Sequence, residues 1–124
     1  MSRFEQSMEI RAGVIFESRW NLKISAGVIS DQLFAGIPFS DEIPGLREEV
    51  PAVALTKEVF GLTFVLHGDC NGNGCEFTLE ASPGSILFDR LGPCLKRVDI
   101  GQWLAQLIET VPEFKVIGFS PIEM

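Results

Sequence analysis

Residues 62–82 read LTFVLHGDCNGNGCEFTLEAS, and the way this stretch folds back on itself decides the fold. Leu62, Phe64, Leu66 and Gly68 alternate with Thr63, Val65, His67 and Asp69. Beyond the Asn-Gly repeat, Cys75, Phe77, Leu79 and Ala81 alternate with Glu76, Thr78, Glu80 and Ser82. A period of two marks a strand with one buried face. Gly72-Asn73 is a glycine-first pair suited to a type II′ turn, and folding the chain about it makes position i face position 145 − i. Cys70 then faces Cys75, Gly68 faces Phe77, Leu66 faces Leu79 and Phe64 faces Ala81, so apolar residues meet on one face. Turns centred on Asn71-Gly72 or Asn73-Gly74 slide the register but keep the faces. Pattern and turn chemistry agree, which is what a specified register needs.

The same residues spell a second pattern. Asp69–Glu80, DCNGNGCEFTLE, matches D-x-N-x-N-G followed by five residues and Glu, and so resembles the calcium loop of an EF-hand. Such a loop needs helices on both sides. Here strand period precedes Asp69, Ser82-Pro83-Gly84 follows Glu80, and the usually aliphatic eighth position is Glu76. In the hairpin, Asp69 and Glu80 stand four pairs apart, roughly 13 Å, too far for one ion with bonds of about 2.4 Å. The hairpin reading is preferred, with no calcium site. Zinc fails similarly, because alternation turns His67 and Asp69 away from Cys70 and Cys75, and C-x4-C is not a zinc spacing. A cross-strand Cys70–Cys75 disulfide is possible for a close pair, but two reduced thiols near a hairpin tip are the expectation.

The 124 residues suit a single globular domain, 1–124, large enough to fold without disulfide or metal. Ten Lys and Arg against seventeen Asp and Glu give a net charge of −7, which repels phosphate backbones and anionic membrane surfaces. No nucleic-acid or membrane partner is therefore expected, whereas a basic protein partner would be steered in. The N-terminus MSRFEQSMEIR has no apolar signal core, no run reaches a membrane span, and three Cys is an odd number. The expected location is cytoplasmic.

Working outward from the hairpin, residues 8–17 alternate, with Met8, Ile10, Ala12, Val14 and Phe16 on one face. Residues 21–30 alternate too, through Leu22, Ile24, Ala26 and Val28, which predicts a strand–turn–strand unit about Ser18-Arg19-Trp20. The run 33–39 continues the sheet or ends early at Pro38, 40–51 reads as a loop, and 52–60 suits either strand or helix. Strands are expected at 85–91 and 115–119. Between them Ile100, Trp103, Leu104, Leu107, Ile108 and Val111 follow helical spacing, which predicts a helix over 99–111 capped by Asp99 and Gln102 and stapled by Val98 and Trp103. The expected fold class is α+β: a curved, mainly antiparallel sheet of about six or seven strands with this one C-terminal amphipathic helix packed on it.

Chemistry is sparsely signalled. His67 is the sole histidine, and neither G-x-S-x-G nor a glycine-rich nucleotide cradle is present. No catalytic, cofactor-binding or metal-binding residue is assigned, and no cofactor is expected. The first functional reading is a small acidic protein-interaction module: an inhibitor, a neutralising partner or a homodimer. Its candidate surface is the low-charge face of the helix, with Gln102, Ala105 and Gln106. The second is a small-molecule binder with a Phe-lined apolar pocket between sheet and helix, drawing on ten Phe and two Trp. The third is a hydrolase-like enzyme using His67 with Thr78 and Glu80 on the hairpin's polar face.

Overall fold

The computed structural model describes residues 8–44, 46, 50–72, 74–84 and 96–120. In chain order these form β1 (Met8–Ser18), α1 (Leu22–Leu33), β2 (Ala52–Ala54), β3 (Leu62–Asn71), β4 (Gly74–Pro83), β5 (Lys96–Asp99), α2 (Gly101–Ile108) and β6 (Phe114–Phe119). The fold is α+β, with a six-stranded, mostly antiparallel sheet. Its order is β2-β3-β4-β1-β5, and β6 pairs with β1 beside β5. The long strand β1 is shared: residues 12–18 pair with β4, 8–11 run parallel to β5, and 14–18 run antiparallel to β6.

The hairpin forms in the register the sequence specifies. Cys70 faces Cys75, Gly68 faces Phe77, Leu66 faces Leu79, Phe64 faces Ala81, and the pairing closes at Asn71 and Gly74. Strand β1 extends each rung, so Phe77 faces Phe16, Leu79 faces Val14 and Ala81 faces Ala12. All these phenylalanines, leucines and Val14 are buried, and α1 and α2 cover the face through Ala26, Ile29, Leu104 and Ile108. Five buried phenylalanines fill the space between. Phe16 stacks on Phe114 at 4.9 Å, and Phe34 on Phe64 at 4.7 Å, in tilted geometry. Such pairs add about 0.5–1.5 kcal/mol beyond the area they bury.

Helix α1 corrects the expected strand at 21–30 and the expectation of one helix. LKISAGVISDQL satisfies both periods, because its small residues blur the contrast between faces. The face that packs is Ser25, Ala26, Ile29 and Ser30, while Ile24 is half exposed. Buried serines made that face look polar, yet their hydroxyls are satisfied. Ser18 Oγ lies 2.8 Å from Ser25 Oγ and accepts from Trp20 N–H, Ser25 Oγ donates to the Trp20 carbonyl, and Ser30 Oγ donates to the Ile37 carbonyl. Asn21 starts the helix by accepting the Ile24 N–H at 2.9 Å as its N-cap. It ends as Ala35 and Gly36 turn left-handed and the Gly36 N–H reaches back to Ser30.

Elsewhere the expectations shift by a few residues. In the expected loop 40–51, Ser40 and Ile43 donate to Ala54 and Ala52 and so cover the outer edge of β2. Helix α2 is shorter than 99–111. Asp99 still serves its start, accepting the Gly101 N–H at 2.7 Å, but the N-cap position falls on Ile100. Trp103, expected in a staple, is half exposed. The expected strand at 85–91 lies outside the described residues. A strand at 96–99 was not expected, because Lys96-Arg97 masks its short apolar content.

Gly68 is the tightest point of the sheet. A β-carbon there would lie 2.2 Å from the Glu76 carbonyl oxygen and 2.8 Å from the Phe77 ring, and its φ is +147°. The ring of Phe77 occupies the space a side chain would need. Gly68→Ala should therefore destabilise the protein by about 2–4 kcal/mol, read as a fall in Tm of about 10 °C, whereas Gly72→Ala, with open space around it, should cost far less.

Candidate functional site

The face of the sheet away from the helices carries the polar rungs. Asp69 faces Glu76, which faces Glu17, so three exposed carboxylates lie in a row across three strands, with Lys115 of β6 opposite Glu17. The next rung is His67, Thr78 and Ile15, and the one after it Val65, Glu80 and Gly13. Like charges on neighbouring strands repel, and water and Lys115 moderate this only in part. Asp69 also accepts the Cys70 N–H at 2.8 Å. Asp69 and Glu80 sit four residue pairs apart along two paired strands, as the hairpin reading requires. Among the described residues, no three His, Cys, Asp or Glu side chains converge as a metal site would need.

His67 lies beside Glu80, with Nε2 3.1 Å from Oε1, and faces Thr78 across the ladder. Nε2 is out of line for a hydrogen bond to that oxygen. The pairing of His67 with an acidic neighbour was legible from alternation. On the other face, Cys70 and Cys75 form a disulfide with Cα atoms 3.9 Å apart. This corrects the expectation of two reduced thiols. The one-turn hairpin makes the two residues directly opposite neighbours, which is the geometry a cross-strand bridge needs. Cys70 is exposed and Cys75 buried.

The opposite end of β3 begins in an unusual turn. Val59 and Leu62 exchange both backbone hydrogen bonds at 2.9 Å, leaving Phe60-Gly61 as a two-residue tip. Both residues have positive φ, +52° and +76°. Asn or Gly normally fills the first of these positions, because a side chain there costs about 1 kcal/mol or more. Here it is Phe, 92% exposed. The Gly84 N–H, bonded to the Gly61 carbonyl at 2.7 Å, anchors the tip. Sequence reading passed over Phe60, because it placed Phe60 at the end of the stretch 52–60, which suited either strand or helix. The signal was Phe-Gly between Val59 and Leu62.

On the helix side, a cleft of about 530 Å³ runs between α1 and residues 36–42, with Val53 at its base. This size suits a small-molecule site. Between sheet and helices, where a Phe-lined pocket was expected, Phe16, Phe34, Phe64, Phe77 and Phe114 belong to the buried core. Of the expected interaction face on α2, Gln102 and Gln106 are exposed, but Ala105 is buried at 5% and packs in the core. A low-charge face was legible, but not that Ala105 turns inward.

No protein-family model matches the chain, and neither a curated protein nor a solved structure is significantly similar to it. No helix among the described residues is long and apolar enough to cross a membrane.

The disulfide closes a short loop in the unfolded chain, which stabilises the fold by about 2 kcal/mol on the chain-entropy account. Reduction, or Cys70→Ser with Cys75→Ser, should lower Tm by about 6 °C. A thiol titration under denaturing conditions should find one free thiol before reduction and three after, since two of the three cysteines are bonded.

Proposed function

We propose that this protein is a protein-interaction module, acting as an inhibitor, a neutralising partner or a homodimer, and that Phe60 is the anchor it offers. The observation that carries this reading is the Phe60 turn. A Phe at positive φ destabilises the fold, and at 92% exposure it gains nothing from burial within its own chain. An aromatic side chain held on a rigid, doubly bonded tip loses little entropy on docking, which is the property of a binding anchor. The net charge of −7 adds the second element, because it favours approach to a basic surface around the partner's pocket. Gln102 and Gln106 supply a separate, uncharged surface on α2, in keeping with the same reading. For the compartment, the Cys70–Cys75 bond supports an oxidising setting over the cytoplasm.

Phe60→Asn separates binding from folding. Asn is favoured at positive φ, so the variant should be up to about 1 kcal/mol more stable, with a small rise in Tm. Benzoylphenylalanine placed at position 60 should give one discrete photo-crosslinked adduct in cells that make the protein. The same probe at Gln32, on the exposed surface of α1, should give none. An adduct of twice the chain mass identifies the homodimer form of the proposal, and one of another mass a different partner. No adduct at 60, or equal labelling at both sites, rejects Phe60 as the anchor.

A further inference from the structure

We propose that the cleft between α1 and residues 36–42 binds a small organic cation: an ammonium or amidinium group carried on an apolar body. This site is distinct from the Phe60 anchor and does not depend on it. Its floor is apolar, built from Ala26 and Val53, both buried, with the half-buried Leu22 and Phe39 beside them. Its mouth is acidic. Asp31, Asp41 and Glu42 line it against the single ammonium of Lys23, so three negative groups face one positive group. All four are exposed. The neutral polar groups inside are already engaged: Ser30 Oγ donates to the Ile37 carbonyl, while Ser40 Oγ donates to the Asp41 carbonyl and accepts the Ala54 N–H. What the cleft has left to offer a ligand is apolar contact below and carboxylate oxygens above, which is the complement of an amphipathic cation.

Gly27, an exposed residue, keeps the wall of the cleft open. It lies within α1 and lines the cleft. Glycine is the least favourable residue for a helix interior apart from proline. Close packing does not demand it here, because a β-carbon built on Gly27 meets nothing within 4 Å. The fold gains nothing visible from that glycine, whereas the cleft gains the volume a side chain would take from it.

Three indole probes of one shape and different charge test the assignment: tryptamine, indole-3-ethanol and indole-3-propionate. Each is titrated into the intact protein while backbone amide resonances are followed by NMR. Tryptamine should shift Gly27, Gly36 and Val53 saturably at millimolar concentration and bind about tenfold more tightly than the propionate, the summed effect of two or three exposed carboxylates. Asp31→Asn with Asp41→Asn should erase that preference. Gly27→Leu should weaken tryptamine about tenfold by filling the cleft, while Gly27→Ala should raise Tm by about 3 °C. Phe60→Asn should leave tryptamine binding unchanged, so this result and the crosslinking result are read separately. A propionate that binds as well as the amine overturns the assignment, as does the absence of saturable shifts at those three amides. A fall in Tm for Gly27→Ala would show that the glycine serves the fold and remove the second support.

Discussion

The ring of Phe77 lying against the bare backbone of Gly68 is the contact on which the rest of the sheet depends. With no β-carbon at 68, the ring packs into the sheet and reaches Phe16 on the next strand, at 6.1 Å between ring centres. Because side chains alternate, a slip of one residue would bring Phe77 opposite a substituted position and turn the whole apolar set of β3 and β4 outward. The contact therefore locks register across three strands. Both helices then dock on the face so defined, and the polar rungs, with their row of three carboxylates, follow on the other.

The locked hairpin also places the two features of greatest chemical interest at its ends. At the far end, the short connection between Asn71 and Gly74 brings Cys70 and Cys75 into direct opposition and allows the disulfide. At the near end, the tip that leads into β3 holds Phe60 in a conformation aromatic residues avoid. Strain of this kind persists only when surrounding hydrogen bonds over-determine it, as the reciprocal Val59–Leu62 pair and the Gly84 bond do here. A rigid sheet flanked by one covalent and one strained tip is a scaffold for presenting side chains. The binding role proposed for Phe60 uses it in that sense, and the cleft beside α1 is a separate consequence of how the 36–42 segment closes on the edge of β2.

Some of this could be read from the residues alone. Strict alternation on both sides of an Asn-Gly repeat determined the hairpin, its register and its buried face, because period and turn chemistry are local properties. The amphipathic spacing from Ile100 to Val111 determined a helix, although its ends moved inward, since capping is decided within a single turn. The same local reasoning read the EF-hand-like stretch Asp69–Glu80 as part of a hairpin, which is how it pairs. Against this, the α+β class was reached with one helix too few. LKISAGVISDQL is written in small residues that satisfy two periods, and only burial of Ser25 and Ser30 against hydroxyl and carbonyl partners seven residues away, outside the helix, selects one of them.

Tertiary structure alone decided the remainder. Parallel pairing of β1 with β5 joins residues some ninety positions apart and leaves no local trace. Bonding of Cys70 to Cys75 follows from the close approach of two strands, a distance that alternation does not fix. Exposure of Phe60, burial of Ala105 and the opening at Gly27 depend on which neighbours arrive from elsewhere in the chain. A sequence records preferences over a few residues, so it determined the pleat, the turns and the helical stripe. Packing between distant segments set which of those surfaces were covered and which were left for a partner.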